Sequence, residues 1–199
     1  MIKKNILLIS LLALFLSSCG VYETVSNLTR LQFKVNSYNN FRVAEVALQD
    51  KESIDDFSPI DYVKLTGAFI RRQLPFSFMI NVEAKNPNDG SGGFPATEIT
   101  LESFPFRVLL DDKEVLVGNI SEPLTIPGVG TDKIIPINIE IDLIKFFKDK
   151  SFEELADFVL AVGGKDSAHS RISLYAKPVL GTPIGTIEYP KEIKISHEF

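Results

Sequence analysis

LPFSFMINVEAKNPN, residues 74–88, is the stretch that decides the fold. From Phe76 to Ala84 every second residue is apolar (Phe76, Phe78, Ile80, Val82, Ala84), with Ser77, Met79, Asn81 and Glu83 between them. A period of two sends alternate side chains to opposite faces, so this is a strand with one buried face. Asn86-Pro87-Asn88 ends it, because proline has no N–H for a ladder and asparagine favours turns.

Upstream of that strand the period changes to a helical one. Ser58 reads as an N-cap, Pro59 as the first helical residue, and Asp61 as a carboxylate placed to meet free amides. Ile60, Val63, Gly67 and Ile70 form one stripe with Tyr62, Leu65 and Phe69 beside it, a face wide enough to lie against a sheet. Arg71 and Arg72 suit the helix C-terminus, and Pro75 stops the helix at Leu74. Further upstream, Leu31, Phe33 and Val35 alternate as a strand. Tyr38-Asn39-Asn40 reads as a turn, and Phe41 to Leu48 as a strand with a bulge near Ala44-Glu45. Gln49 to Asp56 reads as a charged loop.

Downstream, Asp89 to Gly93 is a flexible connection. Glu98 to Leu110 is a long strand signal whose apolar phase shifts at Ser103 and Pro105, which predicts a bend or an edge. Asp111-Asp112-Lys113 is a hairpin turn into Val115–Ile120, and Pro123 to Gly130 is turn-rich. Ile135, Ile137, Ile139 and Ile141 alternate as another half-buried strand. Ser151 and Glu154 make a capping box for a helix through Phe152, Leu155, Phe158, Val159 and Val162, closed by Gly163-Gly164. Ile172, Leu174 and Ala176 give a strand. After a turn at Gly181-Thr182-Pro183, Ile187, Tyr189, Ile193 and Ile195 give the last, interrupted at Pro190. Seven to nine short strands and two helices predict a mainly β protein, an antiparallel β-sandwich with two accessory helices.

The N-terminus carries an address rather than structure. Met1 to Asn5 is a short positive segment and Ile6 to Leu16 an apolar one. Eleven residues fall short of the roughly 20 that cross a bilayer, so this is a signal peptide and not a membrane span. Leu16-Ser17-Ser18-Cys19 resembles the bacterial lipobox. The resemblance implies cleavage before Cys19 and acylation of that cysteine, a membrane anchor made stable by two or more chains. Gly20 follows, with no aspartate to suggest inner-membrane retention, so the expected location is the cell envelope at the outer membrane. The expected organisation is therefore a signal peptide over 1–18, the lipidated cysteine and a tether over 19–29, and one domain over 30–199.

Charge and residue types narrow the functional classes. The 199-residue chain carries 21 basic and 26 acidic residues, and losing Lys3 and Lys4 with the signal takes the net charge from −5 to −7. Such a balance disfavours nucleic acid and predicts no polybasic patch for anionic lipid headgroups. The lone cysteine cannot form an internal disulfide. His169, in the polar run after Lys165, and His197, near the C-terminus, read as surface histidines with nothing to orient them for a Ser/His/Asp site. Asp111-Asp112 and Asn88-Asp89-Gly90 do not match a calcium loop and read as hairpin and turn chemistry. Gly163-Gly164-Lys165-Asp166-Ser167 lacks the first glycine of a phosphate loop. Fifteen phenylalanines suit a core more than a ligand pocket between sheet and helix. Cys19 is thus the one site residue assigned, with no catalytic residue, cofactor or metal ligand expected.

The order of elements from Phe76 onward carries a family resemblance. An apolar strand reaching Asn86-Pro87-Asn88 is followed by Glu98–Leu110, the Asp111-Asp112 hairpin, Val115-Leu116-Val117-Gly118, Ile126-Pro127-Gly128-Val129-Gly130 and Ile134–Ile141. This resembles the type 2 late-embryogenesis-abundant (LEA14-like) proteins with their WHy domain, over about residues 41 to 195. The resemblance implies a fibronectin-like or immunoglobulin-like β-sandwich associated with desiccation and stress, and it supplies no catalytic residues. The helix over Ser58–Arg72 and the lipid anchor depart from the plant pattern. The expected function is a lipid-anchored, non-catalytic envelope protein of stress- or desiccation-protective type. The alternative is an envelope module that binds an apolar small molecule or a protein partner. An acid/base enzyme would need paired carboxylates in a cleft.

Overall fold

The computed structural model of the chain describes residues 31–90, 96–129, 132–163, 171–182 and 185–199. Among them run β1 (Gln32–Val43), β2 (Val46–Ala47), β3 (Pro75–Lys85), β4 (Ile99–Ser103), β5 (Phe106–Leu110) and β6 (Lys113–Gly118). They are followed by β7 (Leu124–Ile126), β8 (Lys133–Asp142), β9 (Ile172–Ala176), β10 (Val179–Thr182), β11 (Gly185–Glu188) and β12 (Ile193–Ile195). The helices are α1 (Pro59–Ile70), α2 (Leu143–Phe146) and α3 (Phe152–Gly163), with a 3-10 turn at Ile54–Asp56. The protein is mainly β, and every strand pairing among the described residues is antiparallel.

The strand at 75–85 lies inside the first sheet, whose order is β2-β1-β3-β8. It pairs with β8 without a break from Pro75↔Asp142 to Ala84↔Lys133. Phe76, Ile80, Val82 and Ala84 are wholly buried and Phe78 nearly so. The period of two thus delivers one continuous inner face, in which each large apolar side chain contributes about 1.5–3 kcal/mol.

The remaining strands form two ladders, β11-β10-β4-β7 and β12-β9-β5-β6, which behave as one bent sheet. β4 runs into β5 through Phe104-Pro105, and β9 runs into β10 through Lys177-Pro178. Lys177 N–H donates to Pro105 O (2.8 Å) and Tyr189 N–H to Pro178 O (2.9 Å), so pairing continues across the break. Proline cannot donate to the ladder, and a bend lets the rest of the strand pair on either side of it. The bend expected at Pro105 and the interruption at Pro190 are both present. Phe104 is wholly buried at the bend, its ring 5.2 Å from Phe33 of β1, where the two layers meet.

Several local features differ from the expectations. Tyr38-Asn39-Asn40 is no turn: β1 runs through it with a register shift between Asn39 and Arg42, and Asn40 absorbs the extra residue at φ 57°. The bulge expected at Ala44-Glu45 is instead a two-residue hairpin, since Val43 pairs with Val46. Both turn residues have positive φ (45° and 66°), the type I′ pattern that suits strand twist. Arg42 Nη2 donates to Glu45 O (2.7 Å) and clamps that hairpin. Within Pro123–Gly130 lies β7, whose Ile126 is wholly buried and pairs with Ile99. A third helix, α2, adds to the two expected. Asp142 caps it, accepting from Ile144 N at 3.2 Å and from Leu74 N at 2.9 Å.

Both expected helices form with the expected caps. Ser58 Oγ accepts from Asp61 N and Asp61 Oδ2 accepts from Ser58 N, while Ser151 and Glu154 repeat the exchange ahead of α3. The packing of α1 reverses the expectation, however. Leu65 and Ala68 are buried, whereas Ile60, Val63 and Ile70 are 61%, 67% and 74% exposed. A helix with apolar residues on opposite sides covers one of them only. Here Leu65 and Ala68 turn inward, and Phe69 meets Phe152 of α3 at 5.5 Å.

The Ala44-Glu45 hairpin gives a direct test, because positive φ is strained for residues with a Cβ. Glu45→Gly should raise stability by about 0.5–1 kcal/mol in urea unfolding. A loss of stability would mean that Glu45 is not held in the left-handed region.

Candidate functional site

Asn86-Pro87-Asn88 leaves β3 and folds back on itself. Asn88 N–H donates to Asn86 Oδ1 (3.1 Å), and Asn88 Nδ2 donates to the same oxygen (2.8 Å). Asn86 Nδ2 in turn donates to Thr97 O (2.8 Å), just before β4, and to Ile126 O (3.2 Å), the last residue of β7. Asn88 O accepts from Thr97 N (3.1 Å). The two asparagines are buried to 7% and 1% exposure. The turn therefore does more than stop a strand: one side-chain amide ties the first layer to β7 and to the segment that leads into β4.

Gly128 completes the knot. A Cβ there would stand 2.4 Å from Asn88 O and 2.6 Å from Thr97 O, so only glycine lets the chain after β7 approach so closely. The order Asn-Pro-Asn followed by Ile-Pro-Gly thus has a packing reason. Asn86 directs its amide at main-chain carbonyls, a structural use of the group.

Surface clefts lie elsewhere. A cleft of about 350 Å³ runs between β8 and the Asn119–Leu124 segment, with Phe106, Ile134 and Pro136 among its walls. A second of about 350 Å³ lies between the Ala44-Glu45 hairpin, Val63, Lys64 and Arg71. A third of about 530 Å³ lies between Lys51–Ile54 and Asp157–Ala161. Many of the phenylalanines pack on one another. Phe41 stacks on Phe78 (5.3 Å) and Phe76 (6.2 Å), and Phe147 meets Phe158 (4.8 Å).

The carboxyl groups of Asp56, Asp61, Asp111 and Glu154 are all shifted downward. Arg171 grips Asp111 through Nε (2.8 Å) and Nη2, holding its carboxyl below the usual range, and the same guanidinium lies 4.6 Å from the Phe158 ring centre. The Asp61 carboxyl is lowered first by the Ser58 hydroxyl and backbone, Asp56 by the Ser53 and Glu52 amides, and Glu154 by the Ser151 amide. Each has a capping or ion-pair cause. A carboxyl serving as general acid near neutrality needs a shift the other way. Burial pushes the Tyr38 phenol up to about 12 and raises Tyr189 as well. Among the described residues no group of three His, Cys, Asp or Glu side chains is placed to hold a metal ion.

The assigned residue Cys19, the signal peptide and the tether lie outside the described residues, as do His169 and the Gly164–Ser167 run. His197 differs from the surface histidine expected. It is half-buried, with Nδ1 3.1 Å from Val35 O and its ring edge-on to Tyr38 at 5.6 Å. The neighbouring Ser196 O accepts from Val35 N (2.7 Å), so the C-terminal segment is docked on β1. Asp111-Asp112 form the expected hairpin, with φ 47° and 61°. No helix among the described residues is long and apolar enough to cross a membrane.

No family model and no curated protein matches the chain. Among solved structures, a candidate late embryogenesis abundant (LEA) protein studied in solution is 12% identical, with 94% of this chain and 84% of that one covered and a TM-score of 0.37. A protein from Archaeoglobus fulgidus is 10% identical over 63% of this chain and 87% of that one, with a TM-score of 0.32. An Arabidopsis thaliana protein is 15% identical over 63% and 70%, with a TM-score of 0.28. The sandwich described above rests on its own hydrogen-bond register and not on these likenesses.

Two stability tests follow from this chemistry. Asn86→Ala leaves the Thr97 and Ile126 carbonyls without their side-chain donor and should cost about 2–4 kcal/mol in urea unfolding. A cost below about 0.5 kcal/mol, the usual surface range, would dismiss the tie between layers. The Asp111–Arg171 pair should also leave an acid signature. Its folded pKa lies below the ordinary 3.8, so its contribution is complete above that value and is lost as pH falls through the lower, folded one. Wild type should exceed Asp111→Asn by about 0.5 kcal/mol at pH 7. That gap should narrow below pH 3.8. A gap that widens in acid would contradict the pairing.

Proposed function

We propose that this chain is a bacterial lipoprotein, held in the cell envelope at the outer membrane by acyl chains on Cys19, with a β-sandwich that protects or binds rather than catalyses. The observation that carries the reading is the N-terminal pattern: two lysines, then the eleven-residue, mostly apolar Ile6–Leu16 segment, which ends in Leu16-Ser17-Ser18-Cys19. Two or more acyl chains, at about 0.8 kcal/mol per buried methylene, make a lasting anchor where a single chain does not.

The protective role rests on the LEA14-like order of elements, from the strand and its Asn-Pro-Asn turn to the hairpin and the Ile-Pro-Gly segment. The use of Asn86, Asn88 and Gly128 as a knot supports it, since the most distinctive residues of that order serve stability. A module that must survive drying gains from polar groups such as the Asn86 amide, whose bonds to Thr97 O and Ile126 O are internal and do not depend on water. A second reading has one observation in its favour. The cleft beside β8 is within the size range of small-ligand sites and has Phe106, Ile134, Ile135 and Ile137 in its walls. This reading makes the domain an envelope module for an apolar small molecule or a protein partner.

Cys19→Ser should move the protein from the membrane fraction to the soluble fraction in folded form. A variant that stays with the membranes would refute the anchor. A deletion strain should survive drying at least about tenfold less well than its parent. Equal survival would remove the protective reading and leave the binding one.

A further inference from the structure

Among the described residues the outward stripe of α1 has no packing partner, and what surrounds it has a definite chemistry. At 100° per residue, Ile60, Val63, Gly67 and Ile70 fall within an arc of about 80°, opposite the buried Leu65. Lys64 and Arg71 lie on one rim of that arc, and Arg72 follows the helix. The Arg71 guanidinium lies across Gly67, with Nη1 3.3 Å from where a Cβ would stand. Lys64, Arg71 and Arg72 form no ion pair among the described residues. The net charge predicts no polybasic patch, and these three cations are a local exception: exposed aliphatic side chains beside unpaired cations match an anionic lipid surface, which takes the first into its acyl boundary and the second at its headgroups.

The tether makes this geometrically accessible. Leu31 enters β1 at the end where Gln32 pairs with Lys85, while α1 leads into Pro75 at the other end, where Val43 pairs with Phe76. The twelve residues of β1 measure about 40 Å. From Cys19 to Leu31 is also twelve residues, which reach at most about 43 Å when extended. An anchored chain can therefore lay either end of its sheet on the membrane, and tethering raises the effective concentration so that a weak contact suffices. A second copy fits less well, because three aliphatic side chains fall short of the roughly 800 Å² that each partner of a stable pair buries. We infer that the Ile60/Val63/Ile70 face of α1, with Lys64, Arg71 and Arg72, docks on anionic lipid and orients the domain on the membrane that holds its anchor. This rests on the proposed lipid anchor.

The test uses the full acylated protein with a polarity-sensitive fluorophore on Val63→Cys, the mature chain's other cysteine being acylated. Reconstitution into phosphatidylethanolamine liposomes with 25% phosphatidylglycerol should raise emission about threefold, and 0.5 M NaCl or Lys64→Glu/Arg71→Glu should abolish most of the rise. A probe on Thr125→Cys, an exposed site on β7, should not respond. Protein that floats with the liposomes while the Val63 probe stays unchanged would overturn the docking and leave the anchor standing. Protein that fails to float would overturn both. A rise that depends on protein concentration in detergent without phosphatidylglycerol would overturn the lipid assignment in favour of a second copy.

Discussion

Two hydrogen bonds from the Asn86 side chain, to Thr97 O and Ile126 O, join the end of β3 to the starts and ends of strands in the opposite layer. The rest of the sandwich depends on this junction. β3 is an internal strand of its sheet, paired with both β1 and β8, so fixing its end helps to place both neighbours. The amide is buried, where leaving its carbonyl partners unpaired is costly, so alternative placements of the second layer are disfavoured strongly. Gly128 is part of the same constraint, since its missing side chain lets β7 come close enough for Ile126 O to receive the bond.

Prolines shape the second layer as the asparagines fix it. Pro105 and Pro178 lie on neighbouring strands and break both ladders at one level, so the layer folds over the core instead of splaying. Pro136 lies on β8, at the open edge of the first sheet, where a missing N–H discourages pairing with another chain. The wholly buried Phe104 fills the inside of the bend. These are local chemical causes with a consequence for the whole architecture.

Much of this was legible because it is periodic or because a single residue type enforces it. The alternation through Phe76–Ala84 and Ile135–Ile141, both capping boxes and the break at Pro105 need no knowledge of distant partners. What escaped the sequence depends on such partners. Asn86 bonds to residues 11 and 40 positions away, so its turn was readable and its tie was not. The Ala44-Glu45 hairpin uses residues poorly suited to positive φ, held by the Arg42 clamp, so turn chemistry gave no warning. β7 is three residues long, too short for a pattern. For α1 the periodicity was real on two sides, and only packing decides which side is covered.

The functional account joins an address read from residues 1–19 to a domain whose distinctive polar residues serve its own stability. Both the membrane attachment and the orientation proposed for α1 depend on the chemistry of Cys19. The most direct measurement is the intact mass of the mature protein purified from envelopes, with fragmentation of its N-terminal peptide. The account predicts a chain that begins at Cys19 and carries acyl chains on that residue. A chain that begins elsewhere, or one with an unmodified Cys19, would contradict it.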